Sequence, residues 1–365
     1  MKSCPKCLGP IENYRHACNK LGCAKMGIPV KQEEHTGQEG QSPAPMPDAC
    51  ECGDVMTLRI CPDCGFEMED DEMRRQFFSF SLVGSGGSGK SNYLAVLVNQ
   101  LRSEMCKVYG CTLYPTGGDR TMDHYKRQYH HPLFEQGVCV SSTQLEDLNP
   151  LTYALLFPEA GKDTARSVGL AFYDSCGKEL ESVRQMSAHS KNIYSPGGIL
   201  FLIDPSQLPV IKEARRAENM PVLEEDVQSL LLRTIHLIRN GLSMHDMGKK
   251  IDIPLAICLT KIDTLYQKLD PASFIAGTSR NLRRPMLNTA DISSCSLEVM
   301  ALLERWGGEE MVRHIREHFS DYCFFGMSAL GSMPSIQNEI DRVRPHRVLD
   351  PLLWLLWRHK VLKAG

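Results

Sequence analysis

The chain has 365 residues and a mass of 41.0 kDa, with 41 Lys+Arg against 44 Asp+Glu and a formal net charge of -3. Hydrophobic residues at 42% and charged residues at 23% exclude a mainly disordered chain, and the near balance of charge gives no whole-protein case for a nucleic-acid or membrane-surface binder. No apolar run approaches the roughly 20 residues that a bilayer-crossing helix needs. The opening MKSCPKC lacks the apolar stretch of a secretory signal, and fifteen cysteines in an unexported chain are metal material, so the expected location is the cytoplasm.

Eight cysteines fall before residue 65. Cys4-Pro-Lys-Cys7 with Cys18 and Cys23 reads as a first zinc ribbon over residues 1–31. Cys50-Glu-Cys52 with Cys61-Pro-Asp-Cys64 reads as a second over 50–72, and a polar, Pro/Gly-spaced linker over 32–49 separates them. Four thiolates close a tetrahedral shell, so two structural Zn2+ ions follow. The CxC at Cys50/Cys52 and the wide gap between Cys18 and Cys23 depart from the usual spacing, which leaves His16 or His35 open as substitute ligands. Residues 1–31 carry six Lys/Arg against one Glu, and 48–72 carry one Arg against nine Asp/Glu. Docking to protein is the favoured role, with nucleic acid at the basic first ribbon as the other. The isolated Cys106, Cys111, Cys139, Cys176, Cys258, Cys295 and Cys323 read as buried small hydrophobes.

From residue 73 to 365 short apolar strands alternate with helices. The strands are Phe77–Val83, Val168–Tyr173, Ile199–Ile203, Ile253–Leu259 and Tyr322–Phe325. The helices are Ser91–Met105, Glu179–His189, Leu223–Arg239, Leu297–Arg305 with Met311–His318, and Leu349–Lys360. That alternation predicts an α/β fold with a mostly parallel sheet covered on both faces, and ligands then sit at the carboxyl ends of the strands. The stretch 264–320 is longer than a minimal domain needs and reads as a helical insertion.

The first strand runs into Gly84-Ser85-Gly86-Gly87-Ser88-Gly89-Lys90-Ser91, a full GxxxxGKS. Its glycines let backbone N–H groups turn toward phosphates, Lys90 reaches the β/γ-phosphates and Ser91 ligates Mg2+. A second strand ends in Asp174-Ser-Cys-Gly177, placing a carboxylate at the Mg2+ shell and a glycine amide near the γ-phosphate. Thr260-Lys261-Ile262-Asp263 follows a third. The Asp263 carboxylate accepts both N–H groups of a guanine edge, which adenine lacks, while the Lys261 stem covers the base. Ser328-Ala329-Leu330 offers a backbone donor to guanine O6. Asp204 ends a further strand and is open as a cleft residue or a helix cap.

On these motifs and their order the chain resembles the translation-factor-like and Ras-like P-loop GTPases over about residues 77–360. Its FYDSCGKEL, GGILFLIDPSQL and FFGMSALGSMP are similar to phrases of the zinc-ribbon-bearing bacterial double-GTPase proteins. The resemblance implies GTP/GDP and Mg2+ as cofactors, GTP hydrolysis, a role in a bacterial conflict (antiviral defence) or signalling system, and a second GTPase or activating protein as partner. It also implies a switch threonine between the P-loop and DxxG. Thr143, in Thr143-Gln144, is the preferred candidate, with Thr116, Thr121 and Thr152 as rivals. Where Ras-like enzymes carry a water-orienting Gln after DxxG, Gly177 is followed by Lys178, which has no acceptor, and by Glu179, which does. Slow intrinsic hydrolysis is expected, with a missing group supplied by the partner.

Overall fold

The computed structural model describes residues 4–9, 14–18, 20–27, 49–69, 75–117, 119–141, 149–158, 165–174, 197–246, 248–270 and 272–365. The N-terminal cysteines lie around a small antiparallel sheet of β1 (Arg15–Ala17), β2 (Leu58–Ile60) and β3 (Glu67–Glu69). Arg15 stands opposite Ile60 and Ala17 opposite Leu58, so the first cysteine segment shares one sheet with the second. The apolar content of this module is small. Tyr14 and Met68 pack with Cys4 and Cys61, Met56 packs with Cys18 and Cys50, and Phe77 of the following strand rests against the first group.

The main sheet begins with β4 (Gln76–Gly84), which leads through the glycine loop into α1 (Lys90–Gln100). That helix continues through a wider turn, Leu101–Met105, to Tyr109. Next come β5 (Thr112–Pro115), α2 (Asp119–Tyr125), β6 (Leu151–Phe157), β7 (Arg166–Asp174) and β8 (Gly198–Ile203). The chain then runs through α3 (Pro209–Ala217), α4 (Val227–Gly241), β9 (Leu255–Leu259), α5 (Thr289–Leu303), α6 (Glu309–His318), β10 (Tyr322–Gly326) and α7 (Asp350–Arg358). The order across the sheet is β10-β9-β8-β4-β7-β6-β5, parallel from β10 to β7 and antiparallel at β6 and β5.

All five strands read from the sequence are present, shifted by a residue or two at their ends. β5 and β6 were not expected. Thr112–Pro115 exposes alternate residues and forms the sheet edge, so its apolar run is short. The helix read at Leu223 starts at Val227, because the Asp226 carboxylate accepts the N–H groups of Gln228 and Ser229. The one read at Leu297 starts at Thr289, where the Asn288 side chain accepts from Asp291 N. The helix read at Glu179–His189 lies outside the described residues. Between β9 and β10, α5 and α6 supply the crossover that a parallel pair requires.

Strand alternation divides the interior into two cores. Leu82, Leu200, Leu202, Ala256 and Cys258 face α1 and α7, whereas Val83, Ile199, Phe201, Ile203, Ile257 and Leu259 face the side of α4, α5 and α6. Both layers are closed by amphipathic helices, so the parallel strands are buried on both faces. Among the described residues no helix is long and apolar enough to cross a membrane.

Candidate functional site

Register gathers the motifs. Leu82 of β4 stands beside Asp174 and Gly84 beside Leu202, while Ile203 and Gly326 both stand beside Leu259. Five parallel strands therefore end at nearly one level. β4 is also the switch point of the sheet, since the chain builds one flank through β5, β6 and β7 and then the other through β8, β9 and β10. A crevice opens outside the strand ends at such a point. Here it is a cavity of about 920 Å³ lined by Gly86–Tyr93, Val138–Ser141, Asp204, Thr260, Lys261, Asp263 and Met327–Leu330, among others.

The glycine loop forms one wall. A Cβ on Gly84 would stand 2.7 Å from Ser88 Oγ and 2.8 Å from the Leu202 carbonyl oxygen, so only glycine allows the loop to fold back on β8. Gly89 caps α1 at φ 93°, in the left-handed region, and its carbonyl accepts from Tyr93 N. The buried Lys90 ammonium donates to the carbonyls of Gly84 at 2.7 Å and Ser85 at 2.9 Å, which holds it at the mouth of the loop.

At the start of α1, Ser91 Oγ donates to Asp174 Oδ2 at 2.7 Å, and the Tyr129 hydroxyl lies 3.4 Å from the same oxygen. A hydroxyl and a carboxylate at that distance are the hard oxygen donors that suit Mg2+ beside a phosphate. The rivals to Thr143 lie together at β6 and do not line the cavity. Thr121 Oγ1 and Thr152 Oγ1 both donate to the Thr116 carbonyl, at 2.8 and 3.0 Å, in a buried cluster. Thr143, Gly177 and Glu179 lie outside the described residues. Two positions before Thr143, Ser141 lines the cavity, and Val140 N is held by Asn92 Oδ1 at 2.9 Å.

At the other end, Lys261 adopts φ 50° and donates to the Gly87 carbonyl at 2.8 Å and to Asp204 Oδ2 at 2.5 Å. Asp204 fills both roles left open by its sequence. It faces the cleft through Lys261, and it caps the turn Pro205–Gln207 by accepting from Ser206 N at 2.7 Å. Thr260 Oγ1 donates to the carbonyls of Ser88 at 3.2 Å and Ile203 at 3.0 Å, tying the third motif to the glycine loop. Asp263 and Ser328–Leu330 complete this end of the cavity.

Behind them, Ser328 and His346 exchange backbone hydrogen bonds at 3.0 and 2.8 Å. Arg347, 3% exposed, pairs with Asp291 at 3.0 Å and with Asp350 at 2.8 Å. Its remaining donors meet the carbonyls of Gly277 and Phe274. Burial pushes the Asp350 carboxyl up, with Arg347 opposing.

The thiols form two four-cysteine groups, Cys4, Cys7, Cys61 and Cys64, and Cys18, Cys23, Cys50 and Cys52. This corrects the sequence grouping, which joined Cys4 and Cys7 to Cys18 and Cys23, and Cys50 and Cys52 to Cys61 and Cys64. The reason is the antiparallel β1–β2 pairing, which folds the earliest cysteines onto the latest. Sulfur separations across the pairs are 3.7, 3.6, 3.7 and 3.8 Å. That is the edge of a tetrahedron with Zn–S bonds of about 2.3 Å, and far beyond a disulfide bond of about 2.05 Å. The residues fit Zn2+, and neither group contains His16; His35 lies outside the described residues.

Hydrogen bonding from the Cys64 thiol holds Cys4 down to about 5, and the Asp54 N–H holds Cys52 down to about 7. Of the isolated cysteines, Cys106, Cys111, Cys258, Cys295 and Cys323 are buried as expected. Cys139 instead lines the cavity, and Cys176 lies outside the described residues. A third cluster, His314, Glu317 and His318, sits on α6. There Arg313 holds Glu317 and Arg239 acts on His318, charges that oppose a cation.

No family model matches the chain. It is 24% identical over 341 residues, 86% of its own length and 83% of the relative's, to a "Putative ESX-1 scaffolding and assembly protein SaeC" of Mycolicibacterium smegmatis. Among solved structures it is similar to the S. cerevisiae Ski7 GTPase-like domain bound to GDP and inorganic phosphate, at TM-score 0.34 and 13% identity. That match covers 79% of this chain and 51% of the other, so the chain spans about half the length of that protein. A second similarity is to the signal recognition particle receptor SRb-GTP/SRX complex from Chaetomium thermophilum, at TM-score 0.30 and 14% identity over 70% of this chain and 95% of that one.

Proposed function

We propose that the chain is a Mg2+-dependent guanine-nucleotide switch that binds GTP and hydrolyses it slowly. The observation that carries this reading is the meeting of three separate motifs on one cavity, with Asp174 of a fourth tied to it through Ser91 Oγ at 2.7 Å. The amides of Gly84–Gly89 with Lys90 take the phosphates, and Ser91 with Asp174 takes the Mg2+ that neutralises them. Lys261, braced between Gly87 and Asp204, lays its stem along the base, Asp263 reads the guanine edge, and Thr260 with Ser328, Ala329 and Leu330 forms the floor. Thr143 and Gly177 are assigned to the Mg2+ and γ-phosphate, and Glu179 to the attacking water. The two cysteine groups each hold one structural Zn2+, and the module docks protein partners in a cytoplasmic bacterial conflict or signalling system, among them a second GTPase or activating protein.

A second reading is a nucleotide-binding scaffold with little turnover. Lys178 after the DxxG glycine favours it, as does the name of the M. smegmatis relative. Identification of the nucleotide carried by the purified protein, with phosphate release followed in the presence and absence of co-encoded proteins, separates the two. GTP turnover that rises when a partner is added supports the switch. Bound guanine nucleotide without turnover under either condition supports the scaffold.

A further inference from the structure

Between β8 and α4 the chain makes an excursion, α3 and the segment 218–226, that returns over the glycine loop. Leu223 Cδ2 lies 3.1 Å from where a Cβ on Gly87 would stand, and Leu223 N donates to Ser206 Oγ at 3.3 Å. The excursion is therefore seated over the glycine loop, where it joins the cavity lining. It carries three basic residues with different fates. Lys212 pairs with Glu224 at 3.1 Å and Arg216 pairs with the same carboxylate at 2.6 Å. Arg215, by contrast, lines the cavity, and its Nε donates to the Pro221 carbonyl at 3.0 Å. Among the described residues no carboxylate pairs with its two terminal nitrogens.

A guanidinium fixed through Nε presents its remaining N–H donors as a planar fork, the geometry that matches two oxygens of a phosphate. Lys261, the neighbouring cation, is already engaged by Asp204. We infer that Arg215 is a phosphate ligand supplied from within the chain, closing on the phosphate groups of the bound nucleotide from the side opposite the loop amides. The inference rests on the proposed nucleotide site and adds to it a residue that no motif marks. It also narrows what a partner must bring, because one arginine is already at the phosphates.

The test titrates the full-length, zinc-loaded protein with GDP and, separately, with inorganic pyrophosphate, using wild type, Arg215→Ala, Arg215→Lys and Arg216→Ala. The expected result is a loss of about 10- to 100-fold in affinity for both probes in Arg215→Ala. Arg215→Lys should recover only part of it, and Arg216→Ala, which removes an equal charge from the same helix, should stay within about twofold. Unchanged binding in Arg215→Ala overturns the inference and leaves the guanine reading standing. Equal losses in Arg215→Ala and Arg216→Ala overturn it too, because they report a general field rather than a contact. If wild type binds pyrophosphate with no added affinity for GDP, the guanine reading falls while the pyrophosphate comparison still decides Arg215. If wild type binds neither, both fall.

Discussion

The N-terminal module and the α/β domain hold themselves together by different means. Among its described residues the module buries Tyr14, Ala17, Met56, Ile60 and Met68 beside its cysteines, whereas the α/β domain closes two continuous cores on either side of seven strands. A module this small cannot offset its chain entropy by apolar burial. If its two cysteine groups hold Zn2+ as proposed, its order should depend on the metal and that of the domain should not. The contrast teaches where each element's tolerance lies: thiol chemistry governs one region, packing and buried charge the other.

Metal removal breaks the comparison most sharply. Structural zinc in such sites is worth about 10–16 kcal/mol of folding energy. The purified chain should carry about two zinc ions by elemental analysis, and strong chelation should make residues 1–69 protease-sensitive while the α/β domain keeps a cooperative melt and binds nucleotide. A zinc content near zero, or one joint loss of both regions, would overturn the division.

Within the domain, the largest single effect belongs to Arg347, whose removal leaves Asp291 and Asp350 buried without their partner. Arg347→Met should cost about 3–5 kcal/mol in denaturant unfolding. A loss under about 1 kcal/mol would show that the pair is solvated.

Gly84→Ala should cost less stability, about 1–3 kcal/mol, because the new methyl overpacks one turn. It should nevertheless abolish nucleotide binding, since the Ser88 and Leu202 contacts leave no room for it without moving the loop. Retained binding would show that the loop does not need this fold.

The smallest effect tests a cap. Burial pushes Asp226 up, but the Ser229 hydroxyl and the N–H groups of Ser229 and Gln228 outweigh it and hold the carboxyl below its usual range. Its stabilisation is therefore present above about pH 4 and is lost as pH falls through the lowered folded value. Asp226→Ala should cost about 1 kcal/mol at neutral pH, with the difference from wild type shrinking in acid. A pH-independent difference would assign the cost to something other than the carboxylate.

Most of the glycine-loop end of the cavity was legible because its pattern is local. Gly84 to Ser91 is one unbroken segment, and Asp174 ends an apolar strand, whose end a parallel sheet brings to the level of the end of β4. The cysteine grouping was not legible, because Cys4 and Cys61 meet through the β1–β2 register and linear spacing does not encode which strands pair. Arg215 was hidden for a related reason. It sits in a run of alternating charge on α3, and only the return of Pro221–Leu223 over Gly87 distinguishes it from Arg216. β5 escaped because an edge strand with alternate residues exposed lacks the continuous apolar run of the central strands, whereas β6, LTYALLF, buried from Leu151 to Leu155, carries such a run and was legible in the sequence.

The central claim is that the cavity reads a guanine nucleotide, and calorimetric titration of the full chain with GTP, GDP and ATP in the presence of Mg2+ tests it most directly. The account predicts binding of GTP and GDP, with ATP at least about a hundredfold weaker because adenine leaves the Asp263 carboxylate unpaired. Asp263→Asn should shift preference toward xanthine nucleotide, whose 2-oxo group accepts from the new amide. ATP binding as tightly as GTP would contradict the account.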